Sequence, residues 1–436
     1  MDNKRKVSYY YDSDVGDYYY GMSHPMKPHR VRMAHDLIVR YGLYKQLQVY
    51  KPLHASLDEM AAFHHRDYLE YLTVADRGGD RANANAGLKA KFNLKGDCPV
   101  FEGVFRYCQS YVGASLGGAV QINHGQADTV INWAGGLHHA KTNQAAGFCY
   151  VNDIVLAILE LLKYHRRVLY IDIDIHHGDG VEEAFFHTDR VLTVSFHKYG
   201  DDFFPGTGGP EEVGVDGGRY YAVNVPLDDG MDDASFRFLF EPIMEEVMAR
   251  FQPEAVVLQS GADSLTGDRL GRFNLTIKGH AACHKFMMKF GVPMLVVGGG
   301  GYKIKNVARC WAYETAVLLG VEGSIPDDLP PNEYYEYFKP DYKLHLNPDA
   351  ALRNRNDQAS LSKVLRRVLD NLRHVRPVGA GEEKLPGPAG AVQSDVERRA
   401  ADAERDGGGG GGGAAAVKEE RGGGGGGEDM MDTADG

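Results

Sequence analysis

The sequence has no apolar run long enough to cross a bilayer and no signal peptide at its start. Both absences point to a soluble chain of the cytosol or nucleus; the short basic run Lys4-Arg5-Lys6 does not decide between them. Cysteine is sparse. Its five residues, Cys98, Cys108, Cys149, Cys283 and Cys310, are odd in number, far apart and without a CxxC pair. That argues against a disulfide scaffold or a zinc finger and fits a reducing compartment. Positive charge is also in deficit: a formal net charge of −12 gives no support for a sequence-specific nucleic-acid surface. No internal repeat is visible, and no GxxxxGK[ST] phosphate loop is present.

What is there reads as globular. The 436 residues suffice for one large α/β domain or two ordinary ones, and 43% hydrophobic with 25% charged residues is a normal balance. Residues 7–375 form continuous globular sequence, and residues 376–436 do not. Glycine runs at 407–413 and 422–427 flank a short alanine stretch and a charged patch. Between 401 and 436, nine acidic residues face three basic ones, a net of −6 and half the formal charge. Such a tail buries too little apolar surface to offset its ordering entropy, so it is expected to be disordered.

The body alternates short apolar runs with longer amphipathic stretches. Buried strands are expected at 129–133, 168–173, 191–195, 255–259 and 294–297, and helices at 151–165, 235–251, 277–290 and 306–319. This alternation predicts an α/β domain with a largely parallel sheet covered on both faces. Polar motifs follow the strands: Gly135 to His139, Asp174 to Asp179, His197 to Gly200, Gly261 to Ser264, and Gly298 to Tyr302. Open α/β sheets bind ligands outside the carboxyl ends of their strands, so the five motifs are expected to meet on one rim.

The richest of these is the run 170–179, with three aspartates and two histidines beside apolar residues. If the strand continues through it, Asp172, Asp174 and His176 share one face. Buried carboxylates need cations, donors or a catalytic task. Asp174 and His176 form an Asp-x-His pair able to aim two ligands at one ion, and Asp263 is a plausible third. Three protein ligands leave a position open for water and substrate, as in a catalytic site. Mixed nitrogen and oxygen donors suit zinc, and also Fe(II), manganese or cobalt. An isolated aspartate more often caps a helix or pairs with an arginine; Asp174 has His176 and further ionisable neighbours beside it.

His138 and His139 sit in a glycine-rich loop where a bound water could be deprotonated, and Asp172 and Asp179 could each orient one of them. His177 is assigned to local structure. Tyr302, after four glycines, is placed to donate to an oxyanion. Phe148, Phe203 and Phe204 lie on loops and can line a slot for an aliphatic chain. The tyrosine triplets at 9–11 and 18–20 are read as packing.

These segments resemble the class I histone deacetylases of the arginase/deacetylase superfamily. The matching stretches are HPMKPHR (24–30), CPVFEG (98–103), GGLHHA (135–140), GFCYVND (147–153), YIDIDIHHGDGVEEAF (170–185), SFHKYG (195–200), FPGTG (204–208), GADSLTGDRLGRFNLT (261–276) and GGGGY (298–302). The resemblance covers nearly everything up to about residue 375. It implies a single three-layer domain with a mostly parallel eight-stranded sheet and a zinc site at the base of a narrow tunnel. It implies Asp174, His176 and Asp263 as zinc ligands. His138 and His139 are implied as the tandem catalytic histidines, paired with Asp172 and Asp179, with His139 as base then acid. Tyr302 is implied to polarise the acetyl carbonyl, Gly147, Phe148, Phe204 and Leu270 to line the tunnel, and Asp97 to hold the substrate backbone at the rim. Two structural potassium sites are implied, one at Asp172, Asp174, His176, Ser195 and Phe196, the other at Phe185, Thr188, Val191 and Tyr221.

The resemblance further implies acetylated histone tails as substrates, corepressor subunits as partners, and a nuclear protein that is also found in the cytoplasm. Three departures stand out. The segment 200–205 is one residue longer than usual, and Phe204, next to the PGTG turn, is favoured over Phe203 as tunnel wall. Of the basic residues that bind inositol phosphate in the family, Lys27 and Arg269 match. Lys305 stands where arginine is usual and Ser23 where glycine is usual, implying a weakened response. The tail does not match the family's lysine-rich ends. Two alternatives to a protein-lysine deacetylase are a small-molecule amidohydrolase, acting on acetylpolyamines or as a ureohydrolase, and an inert scaffold in a repressor complex.

Overall fold

The computed structural model describes residues 5–76 and 86–377. All but the first two residues of the tail expected to be disordered lie outside them.

Eight strands form one sheet: β1 (Val7–Tyr10), β2 (Gln48–Tyr50), β3 (Thr129–Asn132), β4 (Val168–Asp172), β5 (Val191–Lys198), β6 (Ala222–Leu227), β7 (Ala255–Gln259) and β8 (Met294–Val297). Their order is β2-β1-β3-β8-β7-β4-β5-β6, and every neighbouring pair is parallel. Alternate residues of a strand enter opposite cores. Leu169 and Ile171 pack into one, with the helices His29–Arg40, Asp233–Phe251, Ile277–Met288 and Ile304–Leu318. Val168 and Tyr170 pack into the other, with the helices Val104–Asn123 and Asp153–Leu161. Burial on both faces is why the central strands read as unbroken apolar runs. No helix of the described residues is long and apolar enough to cross a membrane.

Register aligns the strand ends. Asn132, Val297, Gln259, Asp172 and Ser195 stand level across β3, β8, β7, β4 and β5. The segments after four of these strands, and the end of β5, therefore emerge on one rim. This is the convergence expected from the five motifs.

β4 stops at Asp172, one residue short of expectation. Beyond it the carboxylates take the amides of Asp174 and His176, while Ile173 N–H still donates to the Gln259 carbonyl at 3.2 Å and Lys198 N–H to the Ile175 carbonyl at 2.9 Å. Asp174 N–H donates to Asp172 Oδ1 at 3.0 Å, and His176 N–H donates to Asp174 Oδ1 at 2.9 Å. These local bonds compete with strand pairing. The in-and-out alternation survives nonetheless: Ile171, Ile173 and Ile175 are all fully buried in one core.

Candidate active site

Asp174 and His176 come from the segment after β4, and Asp263 from a short 3-10 turn, Ala262–Ser264, after the neighbouring β7. Their ligand atoms lie within 4.8 Å of one another. His176 Nδ1 is 3.1 Å from Asp174 Oδ1 and 3.0 Å from Asp263 Oδ2. The remaining carboxylate oxygens are held from outside. Asp174 Oδ2 accepts from Gln259 Nε2 at 2.9 Å and from the Gly300 amide at 2.8 Å, and Asp263 Oδ1 accepts from the Ile175 amide at 3.0 Å. Such an outer shell fixes which atoms face inward.

The trio is buried and short of positive charge. Burial disfavours a charged His176, yet the Asp263 and Asp174 carboxylates outweigh it and lift the imidazole to about 10. Burial pushes Asp263 up to about 7, and the Asp174 charge adds to this. Two carboxylates around one imidazole thus hold a proton where a cation fits. The donor set and its open side match a dication bound by three protein ligands.

Beside this cluster lies the tandem pair. The loop after β3 is pinned by buried Asp153, which accepts from the Gly136 and Leu137 amides at 3.0 and 2.9 Å. His138 Nδ1 contacts Asp172 Oδ2 at 2.8 Å, and the Tyr170 hydroxyl donates to the same oxygen. His139 Nδ1 contacts Asp179 Oδ1 at 2.7 Å, and Lys141 Nζ reaches Asp179 Oδ2 at 2.8 Å. The two rings diverge electrically. Burial opposes charge on His138, but Asp172 and Asp174 prevail and raise it to about 9. Burial and then the His138 charge depress His139 to about 3, against the pull of Asp179. The surroundings thus favour the proton on His138 and a neutral His139, whose Nδ1 is engaged by Asp179 and whose Nε2 is left for the cavity.

That cavity, of about 330 Å³, is lined by His24, Pro25, Asp97, His139, Gly147, Phe148, His176, Phe204, Leu270 and Tyr302. All the tunnel residues expected from sequence lie on it, with the rim carboxylate Asp97. A second cavity of about 450 Å³ shares His176, Phe204 and Leu270 and is lined also by Phe203. Phe203 stacks flat on His176, with ring centroids 5.1 Å apart, while Phe204 lies edge-on to His139 at 4.9 Å. Gly147 is required by space: a Cβ there would meet the His139 ring at 2.4 Å, and its φ is +49°. Tyr302 is buried, and its backbone amide is tied to Asp268 at 2.7 Å. Arg30 donates to the carbonyls of Gly299 and Gly301, holding the glycine turn that presents Tyr302.

Other expected residues fall elsewhere. Ser195 and Phe196 lie on β5, where Ser195 Oγ contacts His197 Nδ1 at 2.8 Å and Phe196 packs against Phe236 and Phe240. Phe185, Thr188, Val191 and Tyr221 gather at the opposite, N-terminal ends of β5 and β6. Lys27 Nζ donates to the Gly21 and Met22 carbonyls at 3.0 and 2.8 Å, Lys305 Nζ donates to the Lys339 carbonyl at 2.9 Å, and Arg269 is exposed beside Leu270. His177 lies off this cavity, its Nδ1 2.8 Å from Thr207 Oγ1, 30 positions along the chain, and its Nε2 3.2 Å from Glu182 Oε2. Sequence reasoning missed His24 and Pro25 as cavity walls, and Gln259, Tyr170, Asp153, Lys141, Asp268 and Arg30 as supports. His24, Pro25 and Arg30 lie within the quoted HPMKPHR stretch, Asp153 within GFCYVND, and Asp268 within GADSLTGDRL, so a signal was present without a role attached.

The sequence profile of the histone deacetylase domain matches residues 24–318. Histone deacetylase 1 of Bos taurus is 59% identical over 370 residues, covering 85% of this chain and 76% of that protein. The Homo sapiens protein of the same name is 58% identical over the same span and coverage. Histone deacetylase 1 of Oryza sativa subsp. japonica is 56% identical over 408 residues, 92% of this chain and 77% of that protein. With its rim of strand-end motifs and its paired histidines, the chain belongs to the histone deacetylase family.

Proposed function

We propose that this chain is a zinc-dependent deacetylase that hydrolyses N6-acetyl-lysine in histone tails and other proteins, giving lysine and acetate and repressing transcription through chromatin. One observation carries the reading. His139, neutral and anchored through Nδ1 to Asp179, faces an aromatic-walled cavity with the Asp174–His176–Asp263 cluster beside it. The acyl-lysine stem lies between Phe148 and Phe204, and Asp97 holds the peptide backbone at the mouth. Asp174, His176 and Asp263 would hold a zinc ion, which when bound would supply Lewis-acid chemistry and make the attacking water more acidic. His139 Nε2 removes a proton from the attacking water and later returns it to the leaving amine. Tyr302 donates a hydrogen bond from its hydroxyl to the developing oxyanion. The charged His138, held by Asp172, stabilises negative charge beside it.

The catalytic domain is taken to span residues 7–375, with a partner or solvated tail beyond. Potassium at the Ser195–Phe196 site would brace the floor of the active site, and a second ion at Phe185, Thr188, Val191 and Tyr221 the far end of the sheet. Nuclear corepressor subunits are the expected partners. Lys27, Arg269 and Lys305 give a weakened inositol-phosphate response; no activation in a titration of the assembled complex would count against that. The main test is hydrolysis of acetyl-lysine peptides with and without a chelator, beside acetylpolyamine. Chelator-sensitive peptide hydrolysis is expected. Preference for acetylpolyamine, or an inert metal-loaded protein, overturns the reading.

A further inference from the structure

Beneath the rim, the helices Ile277–Met288 and Ile304–Leu318 bury a second cluster that the chemistry above does not use: His280, His284, Cys310 and Glu314. Four-residue spacing puts His280 with His284, and Cys310 with Glu314, on facing sides of the two helices. His280 Nε2 lies 2.9 Å from the Gly261 carbonyl, which only accepts, so that nitrogen carries a proton. Its Nδ1 contacts the Glu314 carboxylate directly. A ring with acceptors on both sides is satisfied as an imidazolium. Burial opposes this charge and Glu314 outweighs it, raising His280.

Cys310 Sγ stands 3.7 Å from His280 Nδ1, so the cluster has metal-ligand chemistry on paper. Its ratio of acid to base and its access argue otherwise. His176 Nδ1 meets two carboxylates beside an open cavity, whereas His280 meets one carboxylate, has its other nitrogen taken by the Gly261 carbonyl, and is fully buried. Burial also pushes the Cys310 thiol up, away from the thiolate a metal needs.

The cluster grips the turn that carries Asp263. Besides the His280–Gly261 bond, His284 Nε2 is 2.7 Å from Ser260 Oγ, and Trp311 Nε1 donates to the Ser260 carbonyl at 3.0 Å. Gly261 has no slack: a Cβ there would lie 1.9 Å from Asp174 Oδ2. A shift of this turn therefore moves Asp263 and crowds Asp174 together.

We propose that His280 and Glu314 form a buried charged clamp that positions Asp263 through Gly261 and so sets the metal affinity of the active site. His280 is a positioning residue; it touches no substrate and binds no metal. The inference rests on Asp263 being a metal ligand.

The test is zinc affinity of the full chain by chelator competition, with metal content, melting temperature and ¹⁵N histidine spectra in parallel. His280→Ala and the near-isosteric Glu314→Gln are each expected to weaken zinc binding about tenfold, as for other outer-shell groups. Activity at limiting zinc should fall and recover with excess zinc, with KM unchanged. The wild-type spectrum should show His280 protonated on both nitrogens, and Glu314→Gln should lose the Nδ1 proton. A purely structural role would lower melting temperature and leave zinc affinity alone. Should His280→Ala fail to fold, Glu314→Gln decides. Wild-type zinc affinity in the folded variants overturns the clamp, as does a second metal ion lost on Cys310→Ser. Asp263→Asn that keeps its zinc overturns the ligand reading, and the clamp with it.

Discussion

The His176 and His280 clusters pair buried histidine with carboxylate a few residues apart through Gly261, and they are built to opposite ends. At the rim, one imidazole nitrogen meets two carboxylates, at 3.0 and 3.1 Å, beside an open cavity. Below it, His280 and Glu314 touch, each fully buried between two helices. The residue types are nearly the same. What differs is the ratio of acid to base and the access. One carboxylate in contact with one ring is neutralised by a proton. Two carboxylates held apart by Gln259, Gly300 and Ile175 are left needing a larger charge.

The largest expected effect breaks the first cluster alone. Asp263→Asn should lose bound zinc and reduce peptide hydrolysis to background, while Cys310→Ser should retain its full zinc content; metal analysis of both proteins beside turnover checks the pair. A zinc deficit in Cys310→Ser would erase the distinction between the clusters. Next in size, Tyr302→Phe should keep its zinc and lose on the order of 100- to 1000-fold in kcat, the usual cost of one oxyanion donor. Near-normal turnover by the zinc-loaded variant would remove Tyr302 from that role.

A smaller effect sharpens the electrostatic half of the comparison. Without metal, His176 is raised to about 10, so at neutral pH a dication must displace its proton. Between about pH 7 and that pKa, zinc affinity should rise about tenfold per pH unit, flattening as pH approaches it; below about 7 the slope should be steeper, because Asp263 must lose its proton as well. Chelator competition across a pH series measures the slope. A flat profile would mean that the His176 proton is not the one displaced.

How much of this was legible in the sequence follows from range. Asp174, His176, His138, His139 and Tyr302 advertise themselves, because ionisable or hydroxyl groups stand next to glycine and apolar runs. Five strands were visible as apolar runs; β6 was not, since Pro226 interrupts it, a residue that an edge strand tolerates. β2 escaped because all three of its residues are exposed. The helix Val104–Asn123 escaped because it is buried nearly all round and lacks a polar face to set its period. The supporting shell was the least legible. Gln259 reaches Asp174 across 85 positions and His280 reaches Gly261 across 19, and no local pattern marks such partners. Phe203 and Phe204 are adjacent; the PGTG turn marked Phe204 for the cavity wall, while the stacking of Phe203 on His176 had no local sign.

The three proposed ligand residues sit on neighbouring strand ends that are 87 positions apart in the chain, from His176 to Asp263. An ion binding there closes a long loop, and it joins segments that meet only once β4 and β7 are side by side. Loading is therefore a checkpoint on folding: a chain with an unfinished sheet has no three-point grip to offer. Taking the ion away from a finished chain removes a topological clip as well as a reagent, so chelation should lower the melting temperature by an amount that grows with zinc concentration relative to Kd.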